Sequence, residues 1–132
     1  MKKTELTLFL NPVSAGFPSP ASDYIDKSID LNEILIKNKP ATFLVRALGD
    51  SMINCGVFPG DILIVDKSIT PNHKNIVVAI LNGEFTVKRF IKDKEKIILR
   101  PENTKYKDFE IKEDDDFKIW GVVTFVIHNP NL

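Results

Sequence analysis

The stretch IVVAILNGEFTVKRFI, residues 76–91, decides the fold class. Two runs rich in β-branched and aromatic residues flank Asn82-Gly83. That dipeptide is the strongest short hairpin signal, because a tight two-residue turn needs positive φ at both central positions. Strand alternation places Glu84, Thr86, Lys88 and Phe90 on one face and Phe85, Val87, Arg89 and Ile91 on the other. The second face is the more apolar, so the alternation leaves the burial of Lys88 open.

Outward from the hairpin, the chain continues to read as strands. Residues 41–48 are apolar with β-branched and aromatic members, and 61–66 form an aliphatic run opened by Pro59-Gly60. Residues 97–100 and 119–128 supply two more. The helical signal is weak: Asp30 and Glu33 fit a capping box ahead of Leu31, Ile34 and Leu35, predicting a short helix over 31–37 that stops before Pro40. Short strands with close turns predict a mainly β fold, barrel-like or sandwich.

The N-terminal part reads differently. Residues 1–10 are either a short strand or disordered. Residues 11–23 hold three prolines, three serines and a glycine, a composition that keeps backbone solvated and unpaired. We therefore expect a flexible arm over 1–23 and a β domain over 24–132. Lys2 and Lys3 precede apolar residues at 6–10, but Glu5 and two threonines interrupt the run, which is too short for a secretory signal.

Composition narrows the classes. A chain of 132 residues forms one domain with a tail and can bury a core without staples. Lysine plus arginine number 18, as do aspartate plus glutamate, so no basic excess draws the chain to DNA or an anionic membrane. No stretch approaches a membrane span. The single Cys55 allows no internal disulfide and no cysteine-rich zinc site, and fits the reducing cytoplasm. No metal-ligand spacing or phosphate-binding glycine loop is present, so no metal or cofactor is expected. The charge runs 92–96 and 113–116 lie between apolar runs and read as solvated turns.

Two residues stand out chemically. Ser51 lies in Gly49-Asp50-Ser51-Met52, between a strand and a Pro/Gly turn. A glycine two residues ahead of a nucleophile permits a sharp turn that can aim backbone N–H groups at one point. The same tetrapeptide also suits an ordinary Asp-Ser turn. Lys88 follows 37 positions later (88 − 51) and is either a solvated strand lysine or a buried base. As a base it must be neutral, which requires desolvation to lower its pKa from about 10.4 towards 7–8. His73, His128 and Cys55 are weaker candidates, with no supporting motif around them. A small-residue bond between Ala15 and Gly16 falls within the proline-rich segment.

The stretches FPSPASDYIDKSIDLNEIL, ATFLVRALGDSMI, GDILIVDKSIT, NGEFTVKRF and WGVVTFVIH run in one order and cover nearly everything from Gly16 to His128. In that order the chain resembles the translesion-synthesis branch of the LexA/UmuD self-cleaving serine peptidase family. The resemblance implies a compact LexA/signal-peptidase-like β domain and a homodimer. It implies Ser51 as nucleophile, Lys88 as general base, backbone N–H groups of Ser51 and Asp50 at the oxyanion, and cleavage between Ala15 and Gly16. It further implies a UmuC-type DNA polymerase subunit as partner and a RecA filament on single-stranded DNA as stimulator, within the SOS response to DNA damage.

Two other functions fit the same fold: a non-proteolytic module binding polymerase or RecA, and a peptidase cutting other proteins. Intact Ser51 and Lys88 weigh against the first, and the missing membrane anchor against the second. With 15 residues ahead of the cut, a helix-turn-helix has no room, so no sequence-specific DNA binding is expected. The apolar run 122–127 reads equally well as a sheet edge covered by a dimer contact and as a strand buried in the domain's own core.

Overall fold

Two units make up the chain, Met1–Lys37 and Asn38–Leu132. The structure is a computed structural model that describes residues 2–9, 15–16 and 25–131. In the first unit, β1 (Glu5–Phe9) pairs antiparallel with β2 (Ile25–Asp30) and leads into a single helical turn, α1 (Leu31–Leu35). Asp30 caps that turn, its carboxylate accepting from Asn32 N–H at 3.0 Å and from Thr4 N–H at 3.0 Å. The Thr4 bond in particular holds the Asp30 carboxyl below its usual range. Of the two readings of residues 1–10, the strand is the one observed, whereas β2 had no clear sequence signal. The helix ends at Leu35, two residues short of the expectation. A helix this brief has few internal bonds, so its end is set by the chain turning out at Ile36 (φ −127°, ψ 101°) rather than by propensity. The segment 11–23 lies outside the described residues except for Ala15 and Gly16, which form an exposed bend.

The second unit is built on one antiparallel sheet, as the alternating runs demand. Its strands are β3 (Thr42–Arg46), β4 (Ile62–Asp66), β5 (Ile76–Leu81), β6 (Glu84–Asp93), β7 (Lys96–Arg100), β8 (Phe109–Glu110) and β9 (Phe117–Ile127). Their order is β3-β4-β9-β5-β6-β7-β8. The β5–β6 turn has φ of 50° at Asn82 and 85° at Gly83, as the dipeptide predicted. The charge run 92–96 is solvent-exposed, but only 94 and 95 form a turn, its ends being the last residues of β6 and the first of β7. The acidic run before β9 is also mostly exposed, but it is tied to the hairpin through Asn82, whose side chain accepts from Asp116 N–H at 2.9 Å. Strand β8, two residues long, is too short to show alternation in sequence.

Period-two alternation along β5 splits the core. Val78 joins Ala47, Met52, Val57, Leu63 and Val65, while Val77 and Ala79 join Phe90, Leu99 and Val122. Leu63 and Leu99 are essentially inaccessible, at 0% and 1% exposure. Burying each such side chain stabilises by roughly 1.5–3 kcal/mol.

Strand β9 decides between the two readings of the run 122–127. The run 122–127 is not a free edge: β9 lies inside the sheet, and Val122 to Ile127 pairs with β4. Its first half pairs with β5, from Phe117 to Val122. The pairing consumes the backbone groups that an edge would present. Gly121 permits the close approach, since a Cβ there would lie 2.5 Å from Val65 Cγ1.

Candidate active site

Ser51 sits on irregular backbone held in place by its neighbours. After β3, Ala47 N–H donates to Asp61 carbonyl and Gly60 N–H donates back to Ala47 carbonyl, both at 2.8 Å. Leu48 is exposed and Gly49 takes φ of 76°, a left-handed conformation that a side chain resists. The chain then dives inward at Met52, which like Ala47 is only 3% exposed. A 3-10 turn (Ile53–Cys55) closes on Gly56, at φ 87°. Ser51 is thus half-buried between two core anchors. Neither its backbone N–H nor that of Asp50 donates to a partner among the described residues.

Lys88 comes from regular backbone. It pairs with Val77 in the β5–β6 ladder, and its side chain runs into a cavity of about 210 Å³. Ala47, Met52, Val57, Val78 and Val87 are among its apolar lining, with Arg46, Ser51, Thr86 and Lys88 as polar members. Lys88 Nζ lies 3.1 Å from Ser51 Oγ, 2.7 Å from Thr86 Oγ1 and 3.1 Å from Val87 carbonyl oxygen. Burial pushes the Lys88 amine below the usual lysine value.

As an ammonium, Lys88 can donate to all three oxygens; a neutral amine fits the same contacts with the Ser51 bond reversed. A neutral –NH₂ has two N–H donors and one lone pair. Val87 carbonyl can only accept and Thr86 hydroxyl can accept, which uses both donors. The lone pair then faces Ser51, whose O–H can donate to it. Such an arrangement can withdraw a proton from a serine hydroxyl.

The other nucleophile and base candidates lie elsewhere. His73 Nδ1 accepts from Lys92 N–H at 3.0 Å. His128 Nδ1 lies 2.6 Å from Asp61 Oδ1, and its ring packs on Phe58 at 4.9 Å. Burial opposes ionisation of Asp61, but Phe58 N–H and His128 together outweigh it and hold the carboxyl low. Cys55 Sγ donates to Met52 carbonyl at 3.2 Å, and burial pushes its thiol up, away from a reactive thiolate. Among the described residues no group of three or more His, Cys, Asp or Glu could hold a metal ion, and no helix is long and apolar enough to cross a membrane.

Sequence reasoning missed three polar residues around this site. Thr86 was recoverable, being two positions from Lys88 on the same strand face. Asn103 and Tyr106 were not. Asn103 Nδ2 donates to Asp50 carbonyl at 2.8 Å, and Tyr106 hydroxyl donates to the Asp50 carboxylate. They act from 53 and 56 positions away, with no local pattern to announce them.

Comparison with known proteins agrees with this architecture. Residues 7–124 match the Peptidase S24-like family. Protein SamA of Salmonella typhimurium is 46% identical over 121 residues, covering 92% of this chain and 84% of SamA. Protein ImpA of Escherichia coli is 44% identical over 126 residues, covering 92% and 82%. Protein MucA of Escherichia coli is 39% identical over 120 residues, covering 90% and 82%. The chain belongs to the Peptidase S24-like family of serine peptidases, and the resemblance to the LexA/UmuD group read from GDSMI and NGEFTVKRF holds.

Proposed function

From that membership we propose that the chain is a self-cleaving serine peptidase of the SOS response that cuts its own bond between Ala15 and Gly16. The observation that carries this reading is the 3.1 Å contact between Lys88 Nζ and Ser51 Oγ in a cavity of mixed apolar and polar lining. In the proposed reaction the segment around Ala15 occupies that cavity. Ser51 Oγ attacks the Ala15 carbonyl carbon while neutral Lys88 takes the hydroxyl proton. Backbone N–H groups of Ser51 and Asp50 hold the oxyanion. As the C–N bond breaks, Lys88 returns the proton to the Gly16 amine. Water, deprotonated by Lys88, then hydrolyses the Ser51 ester and regenerates the hydroxyl.

The product would be residues 16–132, 117 residues (132 − 15). By its kinship, this processed form serves in the cytoplasm as a homodimeric accessory subunit of a UmuC-type translesion DNA polymerase. A RecA filament on single-stranded DNA would stimulate cutting by raising the population of the docked conformer, without supplying catalytic groups. The arm 1–23 is the part removed or reshaped, and 24–132 the catalytic part.

Intact mass against time at about pH 10 tests the reading, since ordinary lysine deprotonates near there. The wild-type chain is expected to yield a product beginning at Gly16, with Ser51→Ala and Lys88→Ala uncut. Absence of cleavage in every sample, with RecA filaments and nucleotide also added, would favour a non-proteolytic binding module. Cleavage of added Ser51→Ala chains that never dimerise with the wild type would instead favour a peptidase acting on other proteins.

A further inference from the structure

The loop after β7 grips both sides of the Ser51 turn. Ahead of Ser51, Asn103 Nδ2 donates to Asp50 carbonyl at 2.8 Å. Behind it, Asn54 N–H donates to Glu102 carbonyl at 2.8 Å. The Glu102 carboxylate in turn accepts from Arg89 Nε at 2.9 Å, on the residue next to Lys88. Asn103 is only 6% exposed, and its amide has one consistent orientation, because Oδ1 accepts from Lys105 N–H at 3.1 Å while Nδ2 donates. A buried asparagine satisfied in this way is ordinary. What it holds is not.

Asp50 carbonyl and Ser51 N–H belong to the same peptide group. That group is planar and trans, so its C=O and N–H point in opposite directions along one plane. Holding the carbonyl oxygen therefore aims the Ser51 N–H. Nothing holds that N–H itself, which donates to no partner among the described residues. The other bond to Asp50 carbonyl, from Ile53 N–H, is long at 3.4 Å. Tyr106 holds the Asp50 side chain instead of its peptide.

We infer that Asn103 is a positioning residue for the reaction, setting the plane of the Asp50–Ser51 peptide and so the direction of the Ser51 N–H at the oxyanion. The inference rests on the reading of Ser51 as nucleophile. Removing an oxyanion donor outright costs about 10²–10³ in rate, and misaiming one that remains should cost about 10–100-fold.

The test uses the full-length chain. Asn103→Asp keeps the shape but loses the donor, and Asn103→Ala is a second variant should the first fail to fold. Both should lower the alkaline plateau of self-cleavage by about 10–100-fold. The pH midpoint, which belongs to Lys88, should stay at the wild-type value. Tyr106→Phe should keep most of the plateau. A folded Asn103 variant cutting at the wild-type rate would overturn the inference. So would a Tyr106→Phe loss as large as that of Asn103→Ala, or a loss in the Asn103 variants explained by a moved midpoint. In an uncut Lys88→Ala background, the Ser51 amide ¹H–¹⁵N resonance should shift with Asn103→Asp while amides of the β5–β6 hairpin hold. An unmoved Ser51 amide sinks the inference whatever cleavage does. If the wild type itself does not cut, the peptidase reading fails alone, and the amide shift still decides whether Asn103 orients that peptide.

Discussion

Lys88 stands on a strand paired residue by residue with its neighbour, from Ile76 opposite Arg89 to Leu81 opposite Glu84. Ser51 stands on a turn with left-handed glycines at 49 and 56, held by bonds to the carbonyls of Asp61 and Glu102 and by one from Asn103. The two side chains meet at 3.1 Å, but their supports differ in kind. A ladder takes its geometry from neighbouring backbone and tolerates distant change. A turn takes its geometry from tertiary contacts, so changes far along the chain should reach it.

The largest expected effect leaves that difference intact. Ser51→Ala should reduce cleavage by at least about 10³-fold, with a melting temperature close to wild type, because a half-buried hydroxyl contributes little to the fold. A second test addresses the sheet centre. Gly121→Ala would drive a Cβ to 2.5 Å from Val65 Cγ1, and such overpacking typically costs about 1–3 kcal/mol. Chemical denaturation should show that loss, and the ladder side of the comparison is broken if stability is unchanged.

The glycine pair sharpens the contrast. Gly49 and Gly83 both have left-handed φ, at 76° and 85°, with open space where a Cβ would lie. Alanine at either should cost about 1–2 kcal/mol. Only Gly49→Ala should also slow cleavage in the fraction that remains folded, because it tilts the Ser51 turn. Equal rates for the two variants would remove the distinction between turn and ladder.

Thr86→Val tests the ladder from within. It removes one acceptor from the Lys88 amine, and the plateau rate should fall about tenfold through lost orientation. The pH midpoint should move down, since the hydroxyl bonds the charged ammonium more strongly than the neutral amine. An upward shift would mean that Thr86 acts in another way.

The smallest effect is a stability term. Lys88 has a folded pKa below its unfolded value. Between the two values the unfolded chain holds more protons, so stability rises with pH across that window. The wild type should gain on Lys88→Ala as pH climbs through it, measured by parallel denaturation series.

Much of this molecule is legible in one sequence because strands and tight turns are local. Asn82-Gly83 fixed the hairpin, the aliphatic runs marked β3 to β7 and β9, and the two reactive residue types lay in GDSM and FTVK. The short β8 and the strand β2 escaped, one for want of length and the other for want of alternation. The run 122–127 stayed open between edge and interior because apolar composition reports burial but not which strands lie alongside.

By itself the sequence determined a mainly β chain with a hairpin carrying Lys88 and a turn carrying Ser51. It could not decide whether Lys88 is buried, because both faces of β6 bear mixed residues. Only the tertiary structure decided that: Lys88 is half-buried, in a cavity that Ala47, Met52 and Val57 help to line, with Thr86 and Ser51 brought to its amine. It also brought Asn103 to Asp50 across 53 positions. Desolvation and long-range hydrogen bonds depend on what packs around a group, and that packing is not encoded in any short window of the chain.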